Sequence, residues 1–238
     1  MPNENMSLQP HLMGQSSPGS GEFPDSDSTS VTQPEDYYFR AYFHSRGPVG
    51  IFHRMRLNKL MGYVPEHSSV LDLGCGSGVL LYLLKRRGCS VAGVDIRSEC
   101  VEFARRACGE GDFRCSDIRD LDMGRTFDVV FCTEVMEHCD RESRGRILDV
   151  MKLHTGAEGL AVITFPSGMY SALEPVWRIV RKAASPGVTF DDEGLHQRLG
   201  HGELEEGLHR RGFHVFTNGL QCLGAIRCIA ARRSGEEP

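Results

Sequence analysis

The feature that most constrains this chain is the run Val70-Leu71-Asp72-Leu73-Gly74-Cys75-Gly76-Ser77-Gly78, an apolar stretch ending in alternate glycines and followed at once by Val79-Leu80-Leu81. A short apolar run reads as a buried strand, and the leucine-rich segment behind it has helical spacing. Glycines between the two let the backbone turn tightly and let a ligand approach it closely. The helix that starts there presents unpaired N–H groups in its first turn. A strand, a glycine turn and a helix cannot bury the strand alone, so further strand–helix units must follow.

They do. Ser90–Val94 reads as a strand, Ser98–Cys108 as a helix and Asp112–Cys115 as a short third strand. Phe127–Cys132 is β-branched and aromatic, Arg141–His154 carries Ile147, Leu148 and Met151 at helical spacing, and Gly159–Phe165 is a fifth strand closed by Pro166. Residues 37–64 predict one or two helices ahead of this series. Behind it, a helix over Gly202–Arg211 leads to Phe213–Thr217 and Gly224–Ala231, whose short connection predicts an antiparallel hairpin. Alternating strands and helices imply right-handed crossovers and a parallel sheet with helices on both faces. A chain of 238 residues has room for one such α/β domain.

Residues 1–36 stand apart. They hold Glu4, Glu22, Asp25, Asp27, Glu35 and Asp36 with no Lys or Arg, and they are rich in Ser, Pro and Gly. With no hydrophobic period they cannot offset their ordering entropy, so they are expected to form a disordered tail. The remaining body has 27 basic and 26 acidic residues, without a basic stripe, so no nucleic-acid partner is expected. No apolar run is long enough to span a bilayer, and the polar N-terminus has no signal-peptide pattern. The nine cysteines form no CxxC pair. Cys100, Cys115, Cys132 and Cys228 fall in expected elements and read as buried thiols in a reducing cytoplasm.

A glycine turn of this kind serves several cofactors. A Walker loop ends in Gly-Lys-Ser/Thr, and Ser77-Gly78-Val79 does not. A dinucleotide fingerprint from Gly74 needs glycine where Val79 stands, which also disfavours an NAD-dependent oxidoreductase. Asp-x-Gly-x-Gly-x-Gly remains. Asp72 beside the loop would repel a pyrophosphate but suits a ligand with an ammonium and a sulfonium, as in the methionine part of S-adenosylmethionine. Asp95 ends the second strand, where a carboxylate can accept both ribose hydroxyls. Asp117 follows the third strand. Its carboxylate can accept from an adenine amino group while Ile118 covers the ring, or it can simply cap a short helix.

The motifs Val70–Gly78, Val94-Asp95, Ser116–Ile118, Phe127–His138 and Gly159–Pro166 arrive in the order seen in class I S-adenosylmethionine-dependent methyltransferases, which the chain resembles over about residues 40–232. The resemblance implies a Rossmann-like, mostly parallel sheet of seven strands with an antiparallel last strand, in a domain over 37–235. It implies a donor site of Asp72, Gly74, Cys75, Gly76, Asp95, Ile96, Asp117, Ile118, Thr133 and Glu134. His53-Arg54-Met55, Leu60-Met61-Gly62-Tyr63 and Glu134-Val-Met-Glu137-His138 are similar to the type-11 and type-23 small-molecule branch, which includes the ubiquinone-biosynthesis O-methyltransferases.

That branch implies methyl transfer to a small acceptor, with a hydroxyl favoured and carbon or nitrogen open. A non-catalytic donor-binding module and a methyltransferase of nucleic acid or protein are the rival readings. A hydroxyl acceptor needs a base, and His138, just past the fourth strand, is the candidate. A histidine that caps or packs the next helix is the alternative. Some relatives with Glu-x-x-Glu-His hold a divalent metal, for which Glu134, Glu137, His138 and a later histidine, His196 or His201, would be the ligands. The metal-free base is the preferred reading. Ser171–Ala184 reads as a helix with Leu173, Val176, Trp177 and Val180 on one face and Arg178, Arg181 and Lys182 beside them. It is expected to pack onto the domain; covering the acceptor or resting on a membrane surface are further possibilities for 171–184.

Overall fold

A computed structural model of the chain describes residues 35–45, 47–168 and 199–234, with isolated positions between 172 and 183. The elements run α1 (Tyr37–Phe43), α2 (Pro48–Met61), β1 (Ser69–Leu73), α3 (Val79–Lys85), β2 (Ser90–Asp95), α4 (Ser98–Cys108) and β3 (Asp112–Cys115). A 3₁₀ turn (Ile118–Asp120), β4 (Phe127–Thr133) and a second 3₁₀ turn (Met136–His138) follow. Then come α5 (Arg141–His154), β5 (Thr155–Pro166), a helix here called α6 (His201–His209), β6 (Phe213–Gln221) and β7 (Ile226–Arg233).

The seven strands form one sheet in the order β3-β2-β1-β4-β5-β7-β6. Strands β1 to β5 pair in parallel, and β7 lies antiparallel between β5 and β6. This is the expected α/β architecture with its antiparallel last strand. The chain winds outward from β1 to β3 and returns to β4 on the other side of β1. That reversal opens a crevice beyond the carboxyl ends of β1 and β4, the place where open α/β sheets bind ligands.

Central strands are apolar because both faces are covered. Val70, Leu71, Asp72 and Leu73 are all buried. One face packs Val70, Val129 and Phe131 under Phe39, Leu57, Leu81, Leu84 and Phe103 of α1 to α4. The other packs Leu71, Leu73 and Val130 under Ile147 and Met151 of α5 and Leu204 and Leu208 of α6. Phe39 meets Tyr82 and Phe103 edge-on at ring-centroid distances of 5.4 and 5.1 Å, which fastens α1 to α3 and α4. Pro48 opens α2, where its missing N–H costs nothing.

Several boundaries differ from the sequence reading. Glu35 and Asp36, placed in the acidic tail by composition, belong with the folded part: Asp36 is buried and accepts from Arg40 Nε at 2.5 Å. β5 begins at Thr155 rather than Gly159, because Thr155 pairs with Phe127 before a register shift. Gly224, expected inside the last strand, sits in the hairpin turn with φ +87°. Cys100, Cys132 and Cys228 are buried as expected, but Cys115, at the end of the edge strand β3, is exposed. The helix expected over 171–184 lies mostly outside the described residues, as does Trp177. Of its described positions, Val176, expected on the packed face, is 61% exposed. Among the described residues no helix is long and apolar enough to cross a membrane.

Candidate functional site

The glycine loop is held by β2. The N–H groups of Gly74 and Cys75 both donate to the Val94 carbonyl, at 2.8 and 3.0 Å, and Gly78 N donates to Cys75 O at 2.9 Å. All three glycines have positive φ, but for different reasons. A Cβ on Gly74 would lie 2.4 Å from Val135 Cγ2, and one on Gly78 would lie 2.8 Å from the Ala104 Cβ. Those two glycines let the loop and α3 pack closely. A Cβ on Gly76 would meet nothing within 4 Å, so this glycine faces open space.

That space is a cavity of about 670 Å³ at the switch point between β1 and β4. All ten residues expected at the donor site line it, and so does His138. Asp95 Oδ2 accepts from Gly76 N at 2.7 Å and Oδ1 from Arg97 N at 2.9 Å, so the carboxylate is oriented by backbone while each oxygen keeps accepting capacity. Ile96 beside it is 70% exposed, an apolar surface in the cavity wall. Asp117 does what the capping reading described: it accepts from Arg119 N at 2.9 Å and pairs with the Arg119 guanidinium. Its hydrogen bonds to Arg119 hold its carboxyl below the usual range. It still lines the cavity, together with Ile118.

Asp72 carries the main electrostatic feature. It is 3% exposed, and its Oδ1 has no hydrogen-bond partner. Burial pushes its carboxyl up to about 7, Arg56 opposes the rise and Asp95 adds to it. A buried carboxylate with an empty lone pair at a cavity wall is costly unless a cation or donor completes it. Ser77 Oγ, also buried without a partner, lines the same cavity. This donor set of carboxylates, glycine backbone and apolar walls fits the zwitterionic nucleoside read from the sequence.

The far side of the cavity is assembled from distant segments. Glu134 follows β4 with φ +56°, a conformation that disfavours a side chain. It is fixed from β5: Glu134 N donates to Thr164 O at 2.9 Å, and Thr164 Oγ1 donates to Glu134 Oε1 at 2.9 Å. Arg56 of α2 stands 4.0 Å from that carboxylate, is buried, and has no partner for its Nε. Glu137 points inward, 3% exposed, with Oε2 unpartnered. Burial first, and Glu134 second, push its carboxyl well above the ordinary value. Its Oε1 lies 3.9 Å from His138 Nε2. His138 is half-exposed at the cavity.

The Glu-x-x-Glu-His cluster therefore does not converge as the metal reading requires. Glu137 turns into the protein while Glu134 and His138 face the cavity, and among the described residues no three of His, Cys, Asp and Glu are grouped to hold a metal ion. His196 lies outside the described residues. Sequence reasoning missed Arg56. Its only signal was an interrupted stripe: Val49, His53, Arg56, Leu57 and Leu60 are the buried positions of one helical face, with two basic residues among the apolar ones.

Residues 70–159 match the model of a family described as Methyltransferase domain. A dTDP-4-amino-2,3,4,6-tetradeoxy-D-glucose N,N-dimethyltransferase of Saccharopolyspora spinosa is 30% identical over 145 residues, covering 60% of this chain and 55% of the relative. A ubiquinone biosynthesis O-methyltransferase of Actinobacillus pleuropneumoniae is 32% identical over 107 residues, covering 38% of this chain and 44% of the relative. The chain thus spans about half the length of these curated relatives. In fold it is similar to the magnesium protoporphyrin IX methyltransferase of Synechocystis, solved with S-adenosylhomocysteine. The TM-score is 0.63 and the identity 20%, over 84% of this chain and 94% of that one. Residues 70–159 thus resemble a methyltransferase domain, and the likeness to the solved structure is one of fold.

Proposed function

We propose that this chain transfers the methyl group of S-adenosylmethionine to a small-molecule acceptor, with a hydroxyl as the favoured acceptor atom. The observation that carries the reading is the pairing of Asp95, oriented by the Gly76 N–H, with the orphaned Asp72 carboxylate across one glycine loop. When bound, the donor supplies an electrophilic methyl on a sulfonium. Asp95 would accept hydrogen bonds from the ribose hydroxyls, Ile96 and Ile118 would flank the adenine, and Asp117 would accept from its amino group. Asp72 would take the ammonium, and the buried Arg56 would take the carboxylate. Thr133 and Glu134 would close the methionine end.

His138 is the base that removes the acceptor proton. Its half-exposed imidazole at the cavity and the ubiquinone O-methyltransferase relatives support this reading. Transfer to nitrogen is the second reading, favoured by the N,N-dimethyltransferase relative. The nine free thiols support a reducing, cytoplasmic setting.

The test is turnover of the full chain with methyl-labelled donor against a panel of phenols, alcohols and amines, with and without chelator. The expected result is a methyl ether, formed in chelator and reduced about 100-fold or more in His138→Ala. Chelator-sensitive turnover restored by Mg²⁺ would replace the base with a metal. Methylated amines alone would replace the hydroxyl.

A further inference from the structure

A second cavity, of about 260 Å³, lies at the opposite pole of the sheet, where β5 and β6 begin and β7 ends. It is lined by Glu158, His214, Phe216, Arg232, Arg233 and Ser234. The methyl-transfer chemistry makes no use of it. Three separate observations give it the character of a ligand site.

His214 and Arg232 are direct register partners on the antiparallel strands β6 and β7. Directly opposed side chains stand on one face with Cβ atoms roughly 5 Å apart. Both offer N–H donors, and neither forms an ion pair with a described residue. Two donor groups side by side on one face offer an anion a seat between them.

Arg232 is also pre-positioned. Its Nη1 donates to the Glu158 carbonyl at 3.3 Å, which anchors one corner of the guanidinium and leaves its remaining N–H groups available. Arg233, which also lines the cavity, is held more firmly, by the Lys152 and Thr155 carbonyls at 3.1 and 2.5 Å.

The third observation is a β-bulge. Val215 pairs with Ala231 and Thr217 with Ala230, so Phe216 is the extra residue with no partner on β7. A bulge re-aims a side chain, and this one leaves the Phe216 ring 50% exposed in the cavity wall. The cavity thus joins an aromatic surface to two donor groups.

We propose that this cavity binds a small aromatic anion, with its ring against Phe216 and its acid group between Arg232 and His214. Its volume is that of about nine liquid waters, enough for one ring and its acid group. Glu158, which also lines the cavity, carries a negative charge that disfavours a second negative group on the ligand. The inference is independent of the methyl-transfer reading.

The probe is 4-fluorobenzoate, titrated into the full chain at low salt and followed by fluorine resonance broadening and by calorimetry. Saturable binding is expected, weakened about fivefold or more by Arg232→Gln and by Phe216→Ser. S-adenosylmethionine affinity should stay within about twofold in both variants, because the two cavities lie at opposite poles. Inorganic phosphate, which lacks a ring, should bind more weakly than fluorobenzoate. The titration is repeated on Glu236→Gln/Glu237→Gln, which removes the two carboxylates that follow Ser234 in the sequence. No saturable binding in either protein overturns the proposal. So does binding that is unchanged in both Arg232→Gln and Phe216→Ser, which would assign the probe to the larger cavity. Phosphate binding as tight as fluorobenzoate would overturn the aromatic part.

Discussion

The two sides of the large cavity are built on different principles. On the side of β1, α3 and β2, the functional atoms come from one short segment and the end of the neighbouring strand. Gly76 N reaches Asp95 across a single strand spacing, and both Asp95 oxygens are already oriented by backbone. On the other side, Arg56 of α2, Glu134 and Glu137 beyond β4, and Thr164 of β5 meet only because the domain packs them together. Arg56 Nε and Glu137 Oε2 are buried there without partners, and Asp72 Oδ1 is the same between the two sides. The first side has its Asp95 carboxylate oriented by backbone before any ligand arrives, with only the Ser77 hydroxyl left unpartnered. The second holds desolvated charge that a ligand would complete, which is how a site discriminates among ligands rather than merely holding one.

Substitutions that divide the two sides test this. The largest effect is expected at Gly74. A Cβ there would lie 2.4 Å from Val135 Cγ2 at φ +79°, so Gly74→Ala should lose about 2–4 kcal/mol of stability from overpacking and backbone strain. Gly76→Ala, with open space and φ +50°, should cost only about 1 kcal/mol of stability while lowering donor affinity. Thermal denaturation and calorimetry separate the two, and equal stability losses would erase the distinction between packing and ligand-facing glycines.

Next comes Asp95→Ala, expected to weaken S-adenosylmethionine by about 1.5–3 kcal/mol with the fold intact. Unchanged affinity by calorimetry would remove Asp95 from the site.

A pH effect follows from Asp72. Its carboxyl is raised to about 7 in the folded chain, against about 3.9 when unfolded. The folded state therefore holds the proton more tightly. The stability this contributes is complete below about pH 4 and is lost as pH rises through about 7. Asp72→Asn, neutral at all pH, should match the wild type below about pH 4 and exceed it at pH 8 by on the order of 1–3 kcal/mol, while binding donor more weakly. A wild-type stability that does not depend on Asp72 across this range would place a partner on its Oδ1.

The smallest effect belongs to residues 1–34. Their deletion should change the melting temperature by less than about 2 °C and leave donor affinity unaltered, since the segment has no hydrophobic period. A larger fall would mean that the acidic segment completes one side of the cavity.

Much of the first side was legible in the residue order alone. α4, β3 and α5 have the bounds that periodicity predicts, because a short strand and a helix with one apolar stripe announce themselves within a few residues. The placement of Asp72, the glycines and Asp95 around one cavity was legible too, since each stands at a fixed place beside a strand end. Arg56 was not, because nothing local distinguishes a buried arginine from an exposed one.

The sequence by itself determined the alternation of strands and helices, the glycine turn and the acids that follow successive strands, all of which depend on neighbours in the chain. Only the tertiary structure decided that β7 inserts between β5 and β6 and that Phe216 bulges out. The same holds for Glu137 turning inward while Glu134 and His138 face the cavity, for Cys115 at an open edge, and for the unpartnered Asp72 oxygen. Each of these is a question of which groups lose water and which find partners. That is settled by contacts between segments far apart in the chain, where neither propensity nor periodicity reaches.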